Sequence, residues 1–125
     1  MNVATSPVKR IAYVDDDAEY ASLFQSALSR LGHRVSAFAS AREVLAALDA
    51  TPDAFDLLVT DYRMPGMNGF ELEDAVRARH PALRCQVISS APTFLEAGDH
   101  SRAGRIHRKP ESMEEFAALV TRGLS

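Results

Sequence analysis

Asp15, Asp16 and Asp17 follow directly on the apolar run Ile11-Ala12-Tyr13-Val14, and a second apolar run, Leu57-Leu58-Val59-Thr60, also ends on a carboxylate, Asp61. A third run ends in the hydroxyls of Ser89 and Ser90, and a fourth ends at Lys109-Pro110. If these runs are parallel strands, their ends meet at one edge of a sheet, where open α/β folds place ligands. Asp15, Asp16 and Asp61 then bring three negative charges and Lys109 one positive charge into one crevice. Like charges that close oppose folding unless something neutralises them. One divalent cation does so, and an all-oxygen donor set with room for water suits Mg²⁺. The same ion offsets charge on a phosphoryl group moving to an oxygen nucleophile. Esterifying Asp61 would remove its charge, add a dianion and leave the crevice one charge negative. Ser90 and backbone N–H groups are the donors at hand to meet that surplus.

Each group also has an ordinary explanation. Asp17 is well placed to cap a following helix by accepting a backbone N–H. Asp15 and Asp16 suit a helix N-terminus on electrostatic grounds alone, Asp61 suits a turn, and a lone Lys109 suits a solvated surface. Convergence at one edge is what favours the chemical reading. The four histidines (His33, His80, His100, His107) are scattered and read as solvated or capping residues.

The elements that must position these groups are legible in the periodicity. Strand-like and helix-like segments alternate five times, which predicts an α/β domain with a parallel sheet. Strands are expected at Arg10–Val14, Arg34–Phe38, Asp56–Thr60, Gln86–Ser90 and Arg105–Arg108. The first helix carries Tyr20, Leu23, Phe24, Ala27, Leu28 and Leu31 at helical spacing and stops at Gly32. Capping boxes open two further helices at Ser40-Ala41-Arg42-Glu43 and Ser112-Met113-Glu114-Glu115. Leu72, Ala75, Val76 and Arg79 mark another. Between Pro92 and Gly104 the apolar spacing is poor and Gly98-Asp99 interrupts it, so any helix there should be short, frayed or partly irregular.

The chain's 125 residues suit one domain over 1–125, with an ordered core of about 8–124. A formal charge of −3 gives no general attraction to nucleic acid or an anionic membrane. The lone Cys85 excludes an intramolecular disulfide and a cysteine-rich zinc site. No stretch approaches the ~20 apolar residues of a membrane span, and Met1–Pro7 lacks a signal-peptide core, so a cytoplasmic protein is expected.

The chain resembles the receiver domain of bacterial two-component response regulators over essentially its whole length. The resemblance is carried by Val14-Asp15-Asp16-Asp17, by Asp61-Tyr62-Arg63-Met64-Pro65-Gly66-Met67-Asn68-Gly69, by Ser90-Ala91 and by Lys109-Pro110. It implies a flavodoxin-like (βα)5 three-layer sandwich, doubly wound, with a five-stranded parallel sheet in the order 2-1-3-4-5. It further implies that Asp61 accepts a phosphoryl group from a histidine kinase or phosphotransfer protein. Asp16 would bind Mg²⁺ directly, Asp15 largely through water and Arg63 through its backbone carbonyl; Lys109 and Ser90 would attend the phosphoryl group. A cis Lys109–Pro110 bond is also implied. The family's usual surface for dimers and partners is the fourth helix, fifth strand and fifth helix.

Three departures from the family bear on switching. Ser90 stands where Thr is usual, Ile106 stands where Tyr or Phe is usual on the fifth strand, and the span from Ser90 to Lys109 is about three residues short. Ile106 and the poor fourth helix keep open a receiver-like adaptor that works without phosphorylation. A Mg²⁺-dependent phosphohydrolase is disfavoured because no Thr follows the first acids in the Asp-x-Asp-x-Thr pattern. A flavin binder is disfavoured because three acids replace a hydroxyl- and Gly-rich phosphate loop. Such a switch catalyses only its own phosphorylation and hydrolysis. Nothing after Ser125 supplies a DNA-binding helix, so an unidentified downstream protein is the expected target of a stand-alone receiver or one cut from a longer regulator.

Overall fold

The computed structural model describes residues 8–92 and 95–124. Met1–Pro7, read above as lacking a signal core, lie outside the described residues. Five parallel strands form one sheet: β1 (Arg10–Val14), β2 (Arg34–Phe38), β3 (Leu57–Asp61), β4 (Arg84–Ser89) and β5 (Ile106–Arg108), in the order β2-β1-β3-β4-β5. Helices α1 (Ala18–Arg30), α2 (Ala41–Ala50), α3 (Gly69–Arg79) and α4 (Met113–Gly123) cover its two faces. The expected order is therefore present, while the boundaries of three strands move by one or two residues.

Alternation within β1 explains the two-faced core. Ile11 and Tyr13 pack with Phe24 and Leu28 of α1 and with Phe116 and Leu119 of α4. Ala12 and Val14 point the other way, toward Val44 and Leu48 of α2 and Leu72 and Val76 of α3. All five residues of β3 are buried, as a central parallel strand covered on both sides requires. Helix α1 ends at its expected stop: Gly32 adopts φ +91°, a conformation that favours glycine.

The helix starts depend on side-chain caps. Asp17 accepts from the Glu19 and Tyr20 N–H groups, and Ser40 and Ser112 accept from those of Glu43 and Glu115. The complete reciprocal capping box lies instead on α3, between Asn68 and Glu71. Asn68 lies outside the Ser/Thr pattern by which a capping box is legible in sequence.

One expectation is met and another needs correction. No α-helix lies between β4 and β5 among the described residues; His100–Arg105 forms a 3₁₀ turn with no buried residue. The physical reason is the one the sequence offered, a segment with too little apolar periodicity to pay for helical order. Thr93 and Phe94 of that segment lie outside the described residues. The Lys109–Pro110 bond is trans, since no cis peptide occurs among the described residues; trans is the lower-energy form of an X–Pro bond by about 0.5–1 kcal/mol. No described helix is long and apolar enough to cross a membrane.

Candidate functional site

Asp15, Asp16 and Asp61 do converge at the carboxyl edge of the sheet. Each offers a carboxylate oxygen, and the three oxygens lie within 4.8 Å of one another. The pairing of β1 with β3 sets this meeting, because Val14 lies opposite Thr60 and the residues after each are the acids. Lys109, directly after β5, reaches across β4 and β3: its Nζ is 2.8 Å from Asp15 Oδ2 and 3.6 Å from Asp61 Oδ1.

The three acids are not equivalent. Asp15 is buried and fully tied down: Tyr13 donates its hydroxyl to Oδ2 at 2.5 Å, Lys109 donates to the same oxygen, and the Asp17 N–H donates to Oδ1 at 2.9 Å. Asp16 is exposed. Asp61 is buried but lacks a comparable set of donors, and its carboxyl is pushed up to about 7 by burial first and the neighbouring Asp15 charge second, with Lys109 opposing both. Burial and the same Asp15 charge raise the Tyr13 phenol, so it stays a hydrogen-bond donor.

Sequence reasoning missed the aromatic supports. In the sequence Tyr13 shows only as a strand residue. Tyr20 was read as a core position of α1, yet its ring lies under Lys109 Nζ at 4.5 Å and its hydroxyl donates to the Pro110 carbonyl at 2.8 Å. Cation and backbone are thus both held from α1. The hint was available only as Tyr20 following the acidic cluster by one helical turn.

Ser90 and Arg63 sit at the same edge, both exposed. Ser90 is exposed, one residue past the end of β4, and no hydrogen bond joins its hydroxyl to the carboxylates among the described residues. Arg63 is exposed two residues beyond Asp61. The loop carrying it is closed by the Gly69 N–H donating to the Tyr62 carbonyl at 2.8 Å. At Gly69 a Cβ would stand 2.7 Å from the Asp61 carbonyl oxygen and 2.9 Å from Val87 Cγ1, so only glycine allows α3 to start this close to the acid.

Tyr62 links the site to the irregular segment. Its ring is fully buried with Phe70, Val87 and Ile106. Its hydroxyl donates to Asp99 Oδ2 at 2.6 Å and accepts from the Glu96 N–H at 2.7 Å. The Asn68 side-chain amide donates to Glu96 Oε2 and Asp99 Oδ2 at 3.0 and 3.3 Å.

The donor chemistry fits a hard cation: three carboxylates, no nitrogen or sulfur, one acid exposed at the mouth. Asp15, Asp16 and Asp61 would hold such an ion, and it would offset their shared negative charge.

Residues 11–121 match the family profile described as response regulator receiver domain. Over 115 residues the chain is 35% identical to the DNA-binding transcriptional regulator NtrC of Salmonella typhimurium, covering 90% of this chain and 24% of that protein. The chain thus spans about a quarter of that relative's length. The non-phosphorylated HemR receiver domain of Leptospira biflexa superposes with a TM-score of 0.74 at 26% identity, covering 94% of each chain. Chemotaxis protein CheY4 of Vibrio cholerae gives a TM-score of 0.74 at 24% identity, covering 94% of this chain and 100% of that one, a likeness of fold. With nearly the whole chain matched, this protein belongs to the response regulator receiver domain family, whose members are signalling domains.

Proposed function

We propose that the chain is a phosphorylation-controlled switch in which Asp61 accepts a phosphoryl group from a histidine kinase or phosphotransfer protein. The observation that carries this reading is the cluster of three carboxylates within 4.8 Å of one another beside Lys109, on a receiver-domain scaffold. Asp15, Asp16, Asp61 and the Arg63 carbonyl would hold Mg²⁺. Bound there, the ion would offset the negative charge of the phosphoryl group and of the acids around it.

The chain's own residues supply the rest. An Asp61 carboxylate oxygen attacks phosphorus, the donor's P–N bond breaks, and the departing imidazole keeps the electron pair and takes a proton from solvent. Asp61 must be ionised to attack, and its position near 7 leaves a sizeable ionised fraction at neutral pH. Lys109, held over Tyr20, is near enough to follow the charge from carboxylate to phosphoryl group. Asp15, with its oxygens already engaged by Tyr13, Asp17 and Lys109, orients the lysine. Ser90, exposed beside the crevice, turns toward the new dianion and draws the end of β4 with it.

The test is incubation with Mg²⁺ and acetyl phosphate, followed by intact-mass measurement. A gain of one phosphoryl group that disappears in Asp61→Asn is expected. No gain, or one that survives that substitution, assigns the chain to the adaptor reading instead.

A further inference from the structure

Strand β4 runs for six residues, but β5 pairs only with its last three, Val87, Ile88 and Ser89. The carbonyl of Ser89 accepts from Lys109 on the β5 side, whereas that of Ile88 accepts from Tyr62 on the β3 side. Alternation along a strand therefore turns the Val87 and Cys85 backbone groups toward β5. Val87 meets Ile106 there, whereas Cys85 has no β5 residue opposite it. The first half of β4 is thus a sheet edge, which is a ready template for another strand.

That edge lies in a groove of about 560 Å³ between α3 and α4, at the end of the sheet remote from the carboxylates. Its lining includes Arg77, Arg84, Arg105 and Arg122 against one acid, Glu73, in a chain whose formal charge is −3. Glu73 is 3% exposed; its Oε2 takes Arg105 at 2.8 Å and Arg77 at 3.6 Å. Its Oε1 and the buried Oε1 of Gln86, both residues of the groove lining, have no hydrogen-bond partner among the described residues. Buried acceptors without partners are costly and call for a donor. A backbone N–H entering alongside β4 is such a donor, and arginines around it select carboxylates.

We propose that this groove binds an extended acidic segment of a partner protein by strand addition to β4 at Cys85. Three β4 residues span only about 10 Å, so the contact is short and transient. Main-chain pairing holds the segment and the arginines select its side chains.

The probe is a fluorescein-labelled peptide of alternating glutamate and valine, titrated by polarisation against the full chain. Saturable binding is expected, about tenfold weaker in high salt and about tenfold weaker for Arg122→Glu, whose side chain is exposed on the last turn of α4. The same peptide N-methylated at alternate residues should bind about tenfold more weakly, because its charge is kept and its strand pairing is lost. In amide-resolved NMR the Cys85 N–H should shift on titration. Arg105→Gln should weaken binding too, but it also strips Glu73, so Arg122→Glu is the deciding variant. Binding unchanged in Arg122→Glu, or unchanged by N-methylation, overturns the proposal. Self-association of the chain that Arg122→Glu abolishes would assign the edge to a second copy and overturn it as well.

Discussion

The cost of burial, and of like-charge repulsion beside it, falls in the crevice on one residue. Asp15 meets three donors, Asp16 has solvent, and Asp61 is buried with Lys109 at 3.6 Å and the Tyr62 backbone too weak to offset burial and its neighbours. The consequence is a pH dependence of stability. With the native carboxyl near 7 and an ordinary unfolded value of 3.8, the native state binds more protons between about pH 4 and 7. This residue's contribution to stability therefore falls as pH rises through that window, and the penalty is complete above it. His33 and His107, both lowered chiefly by burial, contribute the opposite slope, so the comparison must be differential. In chelator, Asp61→Asn should flatten the decline and stabilise the protein at pH 8 by at least about 1 kcal/mol, roughly 4 °C in melting temperature. Melts from pH 4.5 to 8 read both quantities. Parallel profiles for the two proteins would place the repulsion elsewhere.

At the scale of elements, the segment after β4 is held by hydrogen bonds rather than by an amphipathic helix. Tyr62 and Asn68 grip Glu96 and Asp99, and Arg102 chelates Asp74 at 2.7 and 2.9 Å while lying over the Phe70 ring. Ile106 leaves no Tyr or Phe on β5, and it shares a buried cluster with the rings of Phe70 and of Tyr62, the residue after Asp61. Tyr62→Phe keeps the ring and removes the hydroxyl between Glu96 and Asp99. It should cost about 1–3 kcal/mol and speed amide exchange over residues 95–105 before the rest of the chain. Uniform exchange across the chain would show that Tyr62 is no more than a core residue. Much of this architecture was legible in the sequence. Apolar runs located the strands, the Gly32 stop and the Asp17, Ser40 and Ser112 caps located three helices, and strand ends located the four residues that converge in the candidate site. What escaped were contacts between residues far apart in sequence: Tyr20 under Lys109, and Tyr62 with Asp99. No local period encodes such pairs, and the segment carrying Asp99 had no apolar pattern by which to place it. Asn68 escaped for a narrower reason, since it caps α3 with a residue type outside the Ser/Thr box.

Across the whole molecule, charge is segregated by the ends of the sheet. The carboxyl edge gathers Asp15, Asp16 and Asp61, and the opposite end gathers Arg77, Arg84, Arg105 and Arg122, though the chain as a whole is only modestly acidic. Added salt acts on both ends by screening, with a Debye length near 10 Å at 0.1 M, and a cation bound at one end acts quite differently. A ligand bound only by the folded state stabilises by RT ln(1 + [L]/Kd), about 1.4 kcal/mol at ten times Kd. Millimolar MgCl₂ should therefore raise the melting temperature by roughly 5 °C at saturating excess, whereas NaCl of equal ionic strength should not. Asp16→Asn separates binding from repulsion. Its carboxylate is exposed, so the metal-free variant should melt within a degree or two of wild type, an effect of under about 0.5 kcal/mol as for an ordinary surface substitution. Most of the Mg²⁺ increment should nonetheless be lost with it, because one of three converging oxygens is gone. An increment that NaCl reproduces, or that Asp16→Asn leaves intact, would mean the acids are answered by diffuse counterions and hold no metal.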